Sequence, residues 1–223
     1  MPHTILVSEG DTPLGGRLAD LLLARGASVI TTVSRAAGAE QGAVAAGPNG
    51  RRMVVPWNRR SPMSARALLL DIATAFDSID EAIILEPPCA VSAALHDIPS
   101  ADVERAFDDA KGPVFLAREV LAAFLSKGKG VLCMVSMGPA TGPIESGLRE
   151  CFRGVCSALF VAPALKGITV NGFQSGAVDV EEYAAFIDRT LEEKARKISG
   201  RWFTWSTRGG LFPGVRAGAG RKG

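Results

Sequence analysis

The chain has 223 residues, a mass of 23.3 kDa and a formal net charge of +2, with 47% hydrophobic and 22% charged residues. That composition excludes global disorder, and the near-neutral balance argues against nucleic acid as the main partner. No apolar run reaches the roughly 18 residues of a membrane helix, and Met1-Pro2-His3-Thr4 lacks the basic start of a secretory signal, so a cytoplasmic protein is expected.

Taken in order, residues 4–8 read as a buried strand and 14–25 as a helix that stops at Gly26. Residues 28–33, rich in Val, Ile and Thr, form a second strand. Residues 36–50 are Ala/Gly-rich and read as a loop with at most a short helix. A short strand at 53–55, a helix at 64–76 and a strand at 82–85 follow, the last ended by Pro87-Pro88. Lys111-Gly112-Pro113 separates two expected helices, 101–110 and 114–126. A strand at 130–136, a helix at 147–162, a strand at 169–173, a helix at 180–197 and a strand at 202–205 complete the pattern. Residues 209–223 are a Gly/Arg-rich tail, expected to be poorly ordered at its end. Strand–helix alternation without a linker predicts one α/β domain over 1–208: a Rossmann-like, doubly wound parallel sheet of about seven strands. Such sheets bind ligands at the carboxyl ends of their strands, above the topological switch point.

The scarce nucleophiles and ligands narrow the chemistry. Cys89, Cys133, Cys151 and Cys156 form no C-x-x-C pair, which fits reduced, small, mostly buried thiols. The only histidines are His3 and His96, so no structural zinc site is expected, and a Ser-His-Asp hydrolase would have to rely on a loop histidine.

Four segments in order resemble the short-chain dehydrogenase/reductase family. They are the strand–turn–helix–strand of residues 5–35, Lys111-Gly112-Pro113-Val114-Phe115-Leu116, Lys166-Gly167-Ile168-Thr169-Val170-Asn171 followed by Ser175-Gly176, and Ile198-Ser199-Gly200-Arg201-Trp202 with Gly209-Gly210. The third is close to the family's K-G-I-R-V-N strand, and the likeness spans nearly the whole chain. The segment that covers substrate in the family is short here, because the last helix follows Gly176 almost at once.

The resemblance implies a phosphate turn T-G-x-x-x-G-x-G, whose glycines let backbone approach a pyrophosphate at a helix N-terminus. With Gly15 as the third glycine, Glu9 and Pro13 replace the first two; one residue later, Gly10 and Gly16 are kept and Leu14 falls in the middle. A carboxylate at Glu9, unless it swings into solvent, repels a diphosphate by about 4 kcal/mol at ~4 Å and an effective dielectric near 20. Arg35, after the second strand, either meets the 2′-phosphate of NADP or is a solvated loop residue. Glu86-Pro87-Pro88-Cys89 replaces the family's small adenosine-binding floor.

The family's catalytic Asn, Ser, Tyr and Lys correspond to Asp109, Ser136 (or Met137), Glu145 and Arg149. The single tyrosine, Tyr183, lies in the final helix, expected far from the site. A glutamate is ionised at neutral pH and brings no proton, and losing a positioned general acid costs about 10²–10⁴-fold. Glu145 and Arg149 also fit an i,i+4 ion pair at a helix start, worth ~0.3–0.5 kcal/mol.

The expected function is a catalytically inactive dehydrogenase-like subunit that assembles with, and supports, an active homologue. It would bind no nicotinamide cofactor and no metal. The alternatives are an active NADP-dependent reductase with an atypical site, or a regulatory protein that binds a nucleotide or metabolite. The partner, or a second copy, is expected on the helices at 113–126 and 147–162, the latter through a ridge of Gly154, Ala158 and Ala162. Gly209-Gly210-Leu211-Phe212-Pro213-Gly214 is similar to the hydroxyacyl-CoA dehydrogenases of anaerobic toluene degradation, which pair an active with an inactive subunit.

Overall fold

The structure, a computed structural model, describes residues 3–34, 44–47 and 50–206. The chain alternates β1 (Thr4–Val7), α1 (Pro13–Ala24), β2 (Ser28–Ser34), β3 (Val44–Gly47), β4 (Gly50–Trp57), α2 (Pro62–Phe76), β5 (Glu81–Leu85), α3 (Ser100–Lys127), β6 (Gly130–Met137), α4 (Pro143–Phe160), β7 (Ile168–Ser175), α5 (Val180–Thr190) and β8 (Arg201–Trp205). The strand order is β3-β4-β2-β1-β5-β6-β7-β8. Seven of these strands run parallel, and β3 pairs antiparallel with β4 at one edge.

Side-chain alternation along each strand feeds two cores. On β1, Ile5 and Val7 join α1 and α5, whereas Leu6 joins α2 and α3. Both faces are covered, so β1, β2 and β5 are buried almost throughout, as all-parallel sheets require. Thr12 caps α1 by accepting from the Gly15 N–H, and Ser61 does the same for α2 toward Ser64. No helix among the described residues is long and apolar enough to cross a membrane.

Several boundaries differ from the expectations. Helices 101–110 and 114–126 are one continuous helix, α3, with Pro113 inside it. A mid-helix proline forfeits a hydrogen bond to the carbonyl four residues back. Here Gly112, Pro113, Leu116, Ala117, Val120, Leu121 and Phe124 are all buried, and that packing outweighs the loss. The segment expected as a loop at 36–50 contains β3, while residues 35–43 and 48–49 lie outside the described residues. Helix α4 starts at Pro143 and ends at Phe160, so Ala162 lies off the helix and is not the third member of a helical ridge. The last helix gives way after Thr190 to a single π turn, Leu191–Ala195. The tail at 209–223, on which the toluene-pathway likeness rests, lies outside the described residues.

Candidate functional site

The switch point falls between β1 and β5, whose neighbours lead the chain in opposite directions across the sheet. Above it, the turn after β1 is built on Glu9. Its φ of 54° is a left-handed conformation that glycine adopts freely and glutamate does not. The turn is fixed from several sides. The Glu9 N–H donates to Thr32 Oγ1 at 3.2 Å, the Gly10 N–H to the Thr32 carbonyl at 2.7 Å, and the Thr12 hydroxyl to the Glu9 carbonyl at 2.7 Å. A Cβ on Gly15 would run into the Glu9 carbonyl, whereas Gly16 meets only the Gly10 carbonyl at an ordinary 3.4 Å. The close approach of helix to strand is therefore at Gly15, with Glu9 and Pro13 in the other two glycine positions.

The Glu9 side chain does not swing into solvent. It is 1% exposed and ion-paired with Arg59, which stands in the loop between β4 and α2. Burial pushes its carboxyl up to about 7; Arg59 opposes that rise, and Asp11 and Asp109 add to it. The second carboxylate oxygen, Oε1, and the Arg59 Nε have no hydrogen-bond partner. Arg59 is seated against α3, where a Cβ on Gly112 would strike the Arg59 Cβ. The adjacent Arg60 holds Asp109 through both carboxylate oxygens, at 2.8 and 3.1 Å.

These residues do not fit a dinucleotide pyrophosphate. Pro13 has no N–H, and the Gly15 and Gly16 N–H groups are taken by the Thr12 hydroxyl and carbonyl. A diphosphate would have to take Arg59 from Glu9, and leaving a buried carboxylate unpaired costs about 3–5 kcal/mol. Asp11 Oδ2 already accepts from the Ser34 N–H at the end of β2. Arg35, the candidate for a 2′-phosphate, lies outside the described residues.

The other half of the cleft, a 290 Å³ cavity, lies over the ends of β5 and β6 and the start of α1. The cation among its lining residues is Arg149, on the second turn of α4. Arg149 Nε reaches both oxygens of Glu86, at 3.0 and 3.1 Å, and one terminal nitrogen reaches Glu145 Oε1 at 3.0 Å. The other donates to the Gly138 carbonyl at 2.5 Å. Glu145 Oε2 accepts from both the Thr141 N–H and its hydroxyl, each at 2.7 Å. Glu145 and Arg149 thus form the i,i+4 pair, and Glu86 enlarges it to a triad whose side chains are only 11–14% exposed. Burial raises the Glu86 carboxyl above its ordinary range, against the pull of Arg149.

The remaining positions are not brought together. Asp109 is ion-paired with Arg60 and lines the neighbouring cavity rather than the cleft. Ser136 is 4% exposed and lines neither this cavity nor its neighbour. Tyr183 is nearer than expected. It donates to the Ser136 carbonyl at 3.0 Å, but from inside the α1/α5 core, where burial pushes its phenol far above the ordinary range. It offers no acid to the cleft. His96 is exposed beside Asp97, and the described residues hold no His/Cys/Asp/Glu cluster suited to a metal. Arg59, and the pairing of Glu86 with Arg149, are what sequence reasoning missed. A carboxylate placed straight after a buried strand was the signal for Glu86; Arg59 carried none.

No protein-family model and no curated protein sequence matches the chain. Solved structures do. A short-chain dehydrogenase/reductase from Mycobacterium marinum superposes with a TM-score of 0.74 over 91% of this chain and 93% of its own, at 15% identity. Acetoin dehydrogenase from Salmonella typhimurium gives 0.75 over 92% and 95%, at 14% identity. The fold is that of the short-chain dehydrogenases/reductases. An NADH-dependent reductase solved with NAD matches equally well, with a TM-score of 0.74 over 92% and 95%, at 15% identity. The architecture is shared with these oxidoreductases.

Proposed function

We propose that this chain is a dehydrogenase-fold subunit without oxidoreductase chemistry of its own, a cytoplasmic protein that assembles with and supports an active homologue. The observation that carries this reading is the buried Glu9–Arg59 ion pair in the turn where the fold receives a pyrophosphate. Three further features support it. The proton-donor position holds Glu145, locked by Arg149 and Thr141; the cleft offers no tyrosine; and Arg149 is held by two carboxylates rather than left free for a ribose. An active NADP-dependent reductase would need an acid and a phosphate seat that these contacts occupy.

The outer face of α4 supports the assembly. Gly147, Cys151, Gly154 and Ala158 are exposed at alternating spacings of four and three residues, and added Cβ atoms on Gly147 and Gly154 would meet nothing. The same helix buries Ile144, Phe152 and Cys156 against its own sheet. The outer stripe therefore suits the close approach of another helix. A hydroxyacyl-CoA dehydrogenase pair is the specific form we favour.

Two measurements test the reading. Calorimetry with NAD and with NADP at millimolar concentration should show no binding in the range of a working dehydrogenase. Native mass spectrometry should show a complex with an active homologue from the same operon. Tight cofactor binding, or a monodisperse monomer that ignores the homologue, would overturn it.

A further inference from the structure

A second cavity, of 410 Å³ against 290 Å³ for the cleft, is distinct from it. It lies behind the cleft, between the chain that leaves β5 and the facing sides of α3 and α4. Glu86, Pro87, Pro88, Cys89 and Glu145 line both spaces and form the wall between them. From the structure we infer that this second cavity is a binding site for a small, neutral, apolar molecule of about two fused rings.

Its interior is apolar on three sides. Pro88 and Val91 come from the loop, Ala106 and Ala110 from α3, and Phe152 and Val155 from α4. The volume falls within the roughly 300–1,000 Å³ of small-molecule sites. The roof is preformed: Pro87, Pro88 and Pro99 restrict the loop, and it is pressed on the N-cap of α4, where a Cβ on Gly142 would push into the Ser92 backbone. A preformed roof lowers the ordering cost of binding.

The neutrality of the ligand follows from the charges at the walls. Four carboxylates line the cavity, and each already has a cation of this chain. Glu86 and Glu145 share Arg149, Asp109 has Arg60 at 2.8 Å, and Asp102 has Arg105 at 3.3 Å. Arg105, the one cation among the lining residues, is itself that partner of Asp102. Three arginines thus serve four carboxylates, so the lining is net negative and repels an added anion, while the apolar interior penalises burying a charge of either sign.

The test uses the full-length protein and two dyes with one ring system, neutral N-phenyl-1-naphthylamine and anionic 1-anilinonaphthalene-8-sulfonate. The neutral dye should bind saturably at one equivalent, with a blue-shifted emission and a micromolar Kd, and the anionic dye about tenfold more weakly or worse. Ala110→Phe and Val155→Phe fill the space from opposite walls, and each should abolish dye binding while leaving the far-UV spectrum unchanged. On the unaltered chain, saturating neutral dye should slow alkylation of Cys151, which lines this cavity and not the cleft; Cys133 and Cys156 are fully buried and stay silent. Equal binding of both dyes, undiminished binding by the two filled variants, or protection of Cys89 without Cys151 would overturn the inference. The alkylation readout is taken on the monomeric fraction, because Cys151 also lies on the outer stripe of α4.

Discussion

Arg149 bonds Glu86 through a single nitrogen, Nε, shared between both carboxylate oxygens, while its outer nitrogens go to Glu145 and to the Gly138 carbonyl. The guanidinium is thus the hub that joins β5, the loop after β6 and α4 at the mouth of the cleft. A buried charge hub of this kind stabilises only while it is complete.

Arg149→Ala should therefore act on stability first. Two carboxylates would be left nearly buried without a cation, at a cost of about 3–5 kcal/mol. Urea unfolding should show the loss, and adding Glu86→Gln should recover part of it. A single variant as stable as the parent would mean that the triad relaxes into solvent without strain.

Glu9 gives the fold a pH dependence of defined sign. Its carboxyl is raised to about 7 in the fold from an ordinary 4.5. The folded state thus binds more protons than the unfolded one between these values. The contribution is fully present below about pH 4.5 and is lost as pH rises through about 7. Its size is on the order of 3 kcal/mol. Glu9→Gln should flatten the stability profile between those limits, read by thermal melts across the range. Parallel profiles for variant and parent would contradict the assignment.

Gly112→Ala offers a test by sign. In an ordinary helix interior the change stabilises by about 0.5–1 kcal/mol. Here the new methyl would strike the Arg59 Cβ, which the backbone holds in place, so the variant should lose about 1–3 kcal/mol. A gain in Tm would show that the loop before α2 is free to move off α3.

Ala158→Leu separates assembly from folding. Ala158 is exposed on α4, so the monomer should change by no more than about 0.5 kcal/mol. Any complex built on this face should dissociate, because a leucine fills the gap that lets helices approach. Light scattering on variant and parent decides it; an unchanged complex would place the partner elsewhere.

The fold was legible because buried parallel strands leave continuous apolar runs, as in Thr4–Val7 and Glu81–Leu85, and their helices end on readable caps. What escaped was what depends on distant chain. Val44–Gly47 pairs through its backbone and shows no side-chain pattern. The rule that proline breaks a helix lost to the burial of Gly112 and Pro113. That Glu9 and Pro13 depart from the family's glycine pattern was visible, but not that Glu9 is sealed in by Arg59, 50 residues on. Arg149 likewise finds Glu86 at a separation of 63. Tyr183 was misplaced because α5, late in the chain, returns beneath β6 and packs beside α1.

The Glu9–Arg59 pair also acts as a ratchet on descent. A lineage that changed Glu9 to glycine would reopen the turn but leave Arg59 without its counter-ion; one that lost Arg59 first would leave the acid stranded. Each single step crosses a less stable intermediate, and only the joint change is neutral in charge. Pro13 would then have to go as well before Thr12 could release the helix start. A turn with glycine at position 9 is thus several coordinated substitutions away, whereas drift at the exposed positions of α4 meets no such barrier.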